Sequence, residues 1–137
     1  MFSLNTLIWI DGIAALLSGC FVLAFRGQLA PWFNLPERLL FSMCCVSFGY
    51  AAYSLRLAMQ KSKPVKWLKV LVAANSVWAV LCLVIAVCFS ATATIWGIAY
   101  LILESLFVAA LAVLEWKQIK RNIAFAGSED PREAQNQ

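Results

Sequence analysis

The sequence contains no histidine. This absence removes the commonest metal ligand, the usual haem ligand and the side chain that most readily carries protons near neutral pH. The five cysteines all lie inside apolar runs, and no two of them form a Cys-x-x-Cys pair. Glycine-rich phosphate loops, Ser/His/Asp arrangements and spaced metal ligands are absent as well. The sequence therefore predicts no cofactor, no metal and no catalytic residues, and we expect a protein that is not an enzyme.

Charged residues are also few. They make up 13% of the 137 residues, against roughly 25% in an ordinary soluble domain. Hydrophobic residues make up 63%, and the mean hydropathy is +0.79. The net charge of +4 does not indicate nucleic-acid binding, because the basic residues stand at the ends of apolar runs. We expect an integral membrane protein whose main surroundings are the lipid bilayer.

Four apolar segments are each close to the roughly 20 residues that a membrane-spanning helix needs. They cover about 4–25, 37–60, 65–90 and 95–116, and we expect the last helix to continue to about residue 126. Residues 1–127 would form one transmembrane domain, and residues 128–137 a flexible polar cytoplasmic tail. The fold class predicted is an all-α, antiparallel up-down four-helix transmembrane bundle.

The first span contains Leu17-Ser18-Gly19-Cys20, which matches the pattern of bacterial lipoprotein processing. We do not expect cleavage there. A basic segment before the apolar run is missing, Asp11 interrupts that run, and the chain stays apolar from Phe21 to Phe25.

The distribution of basic residues predicts the orientation of the spans. If the connection between spans two and three is cytoplasmic, that side carries nine basic residues, and the other side carries only Arg26 and Arg38. The nine are Arg56, Lys61, Lys63, Lys66, Lys69, Lys117, Lys120, Arg121 and Arg132. Cytoplasmic loops carry an excess of Lys and Arg, so both termini are predicted to be cytoplasmic.

Each span has one face of small or polar side chains, found from positions 4, 7 or 11 apart. In order along the chain the faces are Asp11, Ala15, Ser18 and Val22 with Gly19; Cys45, Gly49, Ala52 and Arg56; Asn75, Ala79, Cys82 and Ala86; and Gly97, Glu104, Leu111 and Glu115 with Tyr100 and Leu101. Helices in lipid associate through small residues and polar groups, so we expect these faces to meet in the bundle interior.

The interior is thus predicted to hold a polar cluster of Asp11, Arg56, Asn75 and Glu104. A charged group at such depth costs roughly 2.5–3.5 kcal/mol on insertion scales, so it indicates either a buried partner or a working site. In the first interpretation Arg56 neutralises an acid, Asn75 bonds across the bundle, and Glu104 is protonated or bonded to Tyr100 or Asn75. In the second, Asp11 and Glu104 line a cytoplasm-facing cavity and bind a proton or cation.

Two other groups are not expected to be functional. Glu115 lies near the predicted inner interface, where its side chain would reach towards the headgroups. Tyr50 and Tyr53 lie off the small face of span two and are interpreted as packing or lipid-facing groups.

The segment NLPERLLFSMCCVSFGYAAYSLRLA, followed by a basic connection and NSVWAVLCLVIA, resembles small four-span bacterial inner-membrane proteins of unassigned function. The resemblance implies a bacterial cytoplasmic membrane and no catalytic residues. It rests on the Leu-Pro before span two, on Gly49-Tyr50-Ala51, and on Asn75 with Trp78.

These features predict a structural or accessory membrane protein that forms homo-oligomers or joins a membrane complex. The alternative is a small proton- or cation-coupled transporter that uses Asp11 and Glu104, with Arg56 as a gate or counter-ion. An intramembrane enzyme acting on lipids or thiols is a third interpretation, for which the sequence supplies no activated cysteine pair.

Overall fold

A computed structural model describes residues 3–128, and within them it contains four helices and no strand. The helices are α1 (Leu4–Phe33), α2 (Glu37–Met59), α3 (Val65–Cys88) and α4 (Ile95–Ser128). Each is long and apolar enough to cross a membrane, so the four predicted helices are confirmed. Residues 129–137 of the predicted tail, with Arg132, lie outside the described residues.

Helix α1 continues eight residues beyond the predicted end of the first span, through Pro31. Pro31 has no N–H to bond the Gly27 carbonyl, so the helix loses one backbone bond there and ends shortly after it. The helix ends at Asn34, whose φ of 51° places it in the left-handed region. The Leu35 N–H then bonds the Ala30 carbonyl at 3.1 Å, a Schellman-type termination.

The end of α1 is fastened to the start of α4. The Asn34 amide donates to the Thr92 carbonyl at 2.6 Å, and the Thr94 hydroxyl donates to the Trp32 carbonyl at 2.8 Å. A Cβ on Gly97 would lie 2.8 Å from the Phe33 carbonyl oxygen, so only glycine permits this approach. The Phe33 ring stacks on Tyr100 with centroids 5.4 Å apart.

Two helix pairs pack side by side through small and hydroxyl residues. Helix α2 lies along α1, where Gly19 approaches Ser47 and the Ser54 hydroxyl donates to the Ile8 carbonyl at 3.1 Å. Helix α3 lies along α4, where the Ser105 hydroxyl donates to the Ala79 carbonyl at 2.8 Å. These contacts are the close, polar kind by which helices associate in lipid.

The buried apolar side chains form two separate clusters. One contains Val22, Leu29, Phe33, Leu35, Leu40, Met43, Cys44, Cys82, Ala86 and Leu101. The other contains Ile8, Leu57, Ala58, Leu68, Leu71 and Ile119. Along every helix the polar interior residues fall between these two clusters, so the bundle is apolar at both ends and polar in between.

Large apolar side chains are exposed on the outer faces of all four helices. Leu17, Phe41, Val77 and Leu103 are 64%, 46%, 67% and 66% exposed. A soluble protein would not leave so much apolar surface in water, whereas in a bilayer this surface faces the lipid. The helices and their surface therefore suit a multi-pass membrane protein.

Candidate functional site

Asp11 is buried on α1 and is held by three donors from two other helices. The Tyr50 hydroxyl donates a short hydrogen bond to its Oδ2 atom. The Ser54 hydroxyl lies 3.4 Å and the Asn75 amide nitrogen 3.4 Å from the same oxygen. Buried acids persist only where such donors replace water, so this carboxyl is well satisfied.

Asn75 connects this acid to a second one. Its amide nitrogen, 3.4 Å from Asp11 Oδ2, also lies 3.3 Å from Glu115 Oε2, so its two hydrogens serve two carboxyl groups. Glu115 is completely buried, and its other oxygen, Oε1, has no hydrogen-bond partner within residues 3–128. The expectation that Glu115 reaches the interface is wrong, because it shares the inward face of α4 with Leu111 and Ile119.

A cavity of about 600 Å³ lies beside these groups, between the two apolar clusters. It is lined by Asp11, Ala14, Ala15, Ser18, Val46, Ser47, Tyr50, Val70, Ala73, Ala74, Asn75, Val77, Trp78, Leu81, Glu104, Phe107 and Val108. The lining contains the two acids Asp11 and Glu104 and neither lysine nor arginine. The two acids form its polar floor, and its walls are mostly apolar.

Several of the residues that line the cavity are exposed apolar side chains. Val46 on α2 is 51% exposed, and Val70 and Val77 on α3 are 50% and 67% exposed. These side chains belong to the apolar outer surface of the helices as well as to the cavity. That the cavity faces the cytoplasm stays a prediction.

Glu104 differs from the other two acids in its environment. It is half-buried, it lines the cavity, and the Trp78 indole is its neighbouring donor. The Oδ2 atom of Asp11 accepts hydrogen bonds from residues of α2 and α3, whereas Glu104 faces the open space of the cavity. Of the acids in the bundle, Glu104 is the one placed to meet a ligand.

The structure brings Asp11, Asn75 and Glu104 together and leaves Arg56 out. Arg56 is exposed and does not line the cavity. The whole face predicted for α2 is wrong, since Cys45, Gly49 and Ala52 are exposed too. Small residues occupy two faces of this helix, and small size alone does not say which one packs. The faces predicted for α3 and α4 are correct at Asn75, Ala79, Cys82, Ala86, Leu101, Leu111 and Glu115, all of which are buried.

Sequence reasoning missed the roles of Tyr50, Ser54 and Glu115. For the first two a signal was present: Ser47, Tyr50 and Ser54 are spaced by three and four residues, so their polar groups share one face of α2. Hydroxyl spacing would have identified the interior face that the small residues did not.

The site shows no arrangement for metal binding or covalent chemistry. Within residues 3–128, no group of three or more His, Cys, Asp or Glu side chains could hold a metal ion. All five cysteines are free, with Cys44 and Cys82 buried and the other three exposed. Comparisons with protein-family models, with curated proteins and with solved structures gave no match.

Proposed function

We propose that this multi-pass membrane protein binds a cation with an apolar body and exchanges it for a proton held by the acid pair of Glu104 and Asp11. The observation that supports the proposal is the cavity of about 600 Å³ that holds both acids and no basic side chain. A cavity of this size suits a small organic molecule. Its two acids can supply the counter-charge of a positive ligand, and its apolar walls favour a hydrophobic one.

The exchange follows from charge balance. Without a ligand, a proton on each of Glu104 and Asp11 keeps the cavity neutral, since an uncompensated carboxylate at this depth is costly. When a monovalent cation enters, the proton of Glu104 leaves to water and the Glu104 carboxylate becomes the counter-ion. Asp11, bonded to Tyr50 and Asn75, keeps its proton and shapes the floor, so one proton is exchanged for one cation.

The orientation proposed for transport is antiparallel, with both termini cytoplasmic in a bacterial inner membrane. Nine of the eleven basic residues then fall on the cytoplasmic side. The fastening of Asn34 to Thr92 supports neighbouring ends of α1 and α4, as an up-down bundle requires.

Binding of tetraphenylphosphonium, a hydrophobic cation, to the purified protein tests the proposal. We expect the wild-type chain to bind it and to release about one proton per cation, measured by calorimetry in buffers of different ionisation enthalpy. Glu104→Gln should abolish both signals, because the amide cannot supply the counter-charge. Glu37→Gln is the matched control. Glu37 is an acid that forms an ion pair with Arg26 at 3.3 Å and does not line the cavity.

Two outcomes would overturn this function. One is equal binding by wild type and Glu104→Gln; the other is binding without proton release. Proteoliposomes with an acidic interior and the cation added outside then test transport, where the pH gradient should drive accumulation above that of protein-free liposomes only in the wild type and the Glu37→Gln control.

A structural or accessory role is the second candidate, and the Asn75 bridge favours it. The bridge from Asp11 to Glu115 joins α1, α3 and α4 in the way a purely packing role needs. In that case Asp11→Asn with Glu104→Gln would leave ligand binding and proton flux unaffected. Crosslinking in native membranes would instead reveal a homo-oligomer or a partner in a membrane complex.

A further inference from the structure

A second cavity, of about 520 Å³, lies at the end of the bundle that carries the connection between α2 and α3. Three parts of the chain form it: the start of α1, the α2–α3 connection with the start of α3, and the last turns of α4. Its lining residues are Ser3, Leu4, Asn5, Lys61, Lys63, Val65, Leu68, Gln118, Ile119, Arg121, Asn122, Ile123 and Ala126.

The charge of this cavity is opposite to that of the first. Lys61, Lys63 and Arg121 line it, and none of its lining residues within the described chain is Asp or Glu. These cations come from the connection and from α4, which are far apart in the sequence. Their convergence on one space is a property of the fold and goes beyond what the positive-inside rule requires.

Neutral hydrogen-bonding groups accompany the cations. Asn5 and Asn122 line the cavity, and an amide side chain can donate hydrogen bonds. The first turn of α3 also borders it at Val65, and the Pro64 cap of that helix makes no side-chain hydrogen bond. The first N–H groups of a helix lack acceptors within the helix and carry partial positive charge, which favours an anion beside them.

The surroundings of the cavity are apolar. Val65 and Ile123 line it and are 40% and 46% exposed, and nearby Met59 is 74% exposed. Trp67, 53% exposed, lies in the same first turns of α3 and is held by the Tyr53 hydroxyl, which donates to its carbonyl at 3.0 Å. Tryptophan at this level is typical of a membrane interface. A ligand that fits both the basic lining and the apolar surroundings has an anionic head and long apolar chains.

We propose that this cavity binds the headgroup of an anionic phospholipid. The phosphate lies among Lys61, Lys63 and Arg121, and the acyl chains run along Val65 and Ile123. Basic pockets between helices at a membrane interface are suited to such headgroups. The proposal is independent of cation exchange in the first cavity, since the two cavities share no lining residue.

The test compares two pairs of lysines from the same short segment. Lys61 and Lys63 line the cavity, whereas Lys66 and Lys69 follow in α3 and do not. We measure binding of phosphatidylglycerol to the full chain in zwitterionic detergent by native mass spectrometry, with phosphatidylcholine for comparison. We expect Lys61→Gln with Lys63→Gln to weaken phosphatidylglycerol binding roughly 25-fold, about fivefold per cation, and Lys66→Gln with Lys69→Gln to change it less than twofold.

Three results would overturn the assignment. Equal loss from both lysine pairs would mean a diffuse surface attraction with no built site. If phosphatidylcholine bound as tightly as phosphatidylglycerol, the site would not select an anionic headgroup. Displacement of the lipid by millimolar inorganic phosphate would indicate that the ligand is a soluble anion. The four lysines are not in either buried cluster, so both variants should fold normally. An unchanged helix content by circular dichroism checks this before lipid binding is compared.

Discussion

The Tyr50 hydroxyl donates a hydrogen bond to the Asp11 carboxyl, and this bond joins α2 to α1 at the edge of the first cavity. Tyr50 thereby serves two purposes: it satisfies a buried acid, and it forms part of the wall beside the proposed cation site. Its neighbour Tyr53, three residues on, bonds only the backbone of Trp67 at the helix connection. The two tyrosines form a natural pair for experiment.

Tyr50→Phe removes one of three donors to Asp11 and should lower the free energy of unfolding by roughly 0.6–1.7 kcal/mol, the range for hydrogen bonds between membrane helices. Tyr53→Phe should change it by less, because Tyr53 bonds a partly exposed carbonyl that water or headgroups can satisfy. Reversible unfolding in mixed micelles measures both. A larger loss from Tyr53→Phe would contradict the assignment of the Asp11 network.

The hydrogen bonds from Asn75 to Asp11 and Glu115 predict unequal effects on stability for substitutions at Asn75 and at Glu115. Asn75→Leu leaves two buried acids without their common donor and should destabilise the bundle by about 2–3 kcal/mol. Glu115→Gln should be neutral or stabilising, since Oε1 of Glu115 already lacks a partner and the amide carries no charge.

The double variant tests whether the two residues act together. For this cycle Glu115 is replaced by leucine, which leaves no acceptor for the Asn75 amide; if the bridge exists, the loss from Asn75→Leu should be smaller in the Glu115→Leu background, giving a coupling of about 0.5–2 kcal/mol. Strict additivity would show that Asn75 and Glu115 do not interact. The same micelle unfolding assay supplies all four free energies.

Whether the buried face of a helix could be predicted depended on whether its sequence marks that face with a polar residue. Helix α3 was predicted correctly because Asn75 is its one strongly polar mid-helix residue, and the residues at the proper spacing from it are small. Helix α2 was not, because Gly49 and Ala52 form a small face that packs against nothing described. The pattern of small residues contains no information on which of two such faces meets α1, whereas the spacing of Ser47, Tyr50 and Ser54 does.

The cavity itself was predictable only in its acids. Asp11 and Glu104 stand out as carboxyls at mid-helix, whereas the void beside them depends on how far apart Ala74 of α3 and Ala15 of α1 are held. That separation is set by contacts elsewhere, such as Gly97 against Phe33 at one end of the bundle. Long-range packing of this kind leaves no local signature in the sequence.

Gly97 and Gly49 give opposite predictions for the same substitution. In Gly97→Ala the new Cβ meets the Phe33 carbonyl oxygen at 2.8 Å, which backbone cannot easily avoid, and we expect a loss of about 1–3 kcal/mol. In Gly49→Ala nothing lies within 4 Å, and the higher helix propensity of alanine should add up to ~1 kcal/mol. Similar losses at both positions would contradict the close approach of α1 and α4.

The last prediction concerns the volume of the first cavity. Ala74 lines it, and Ala74→Phe would fill much of the space that a cation needs while keeping both acids. We expect cation binding to fall more than tenfold, with little change in stability because the ring enters an existing void and not a packed core. Ala52→Phe is the control, since Ala52 is exposed on α2 and outside the cavity. Calorimetric titration with tetraphenylphosphonium measures both variants, and unchanged binding by Ala74→Phe would place the cation somewhere other than this cavity.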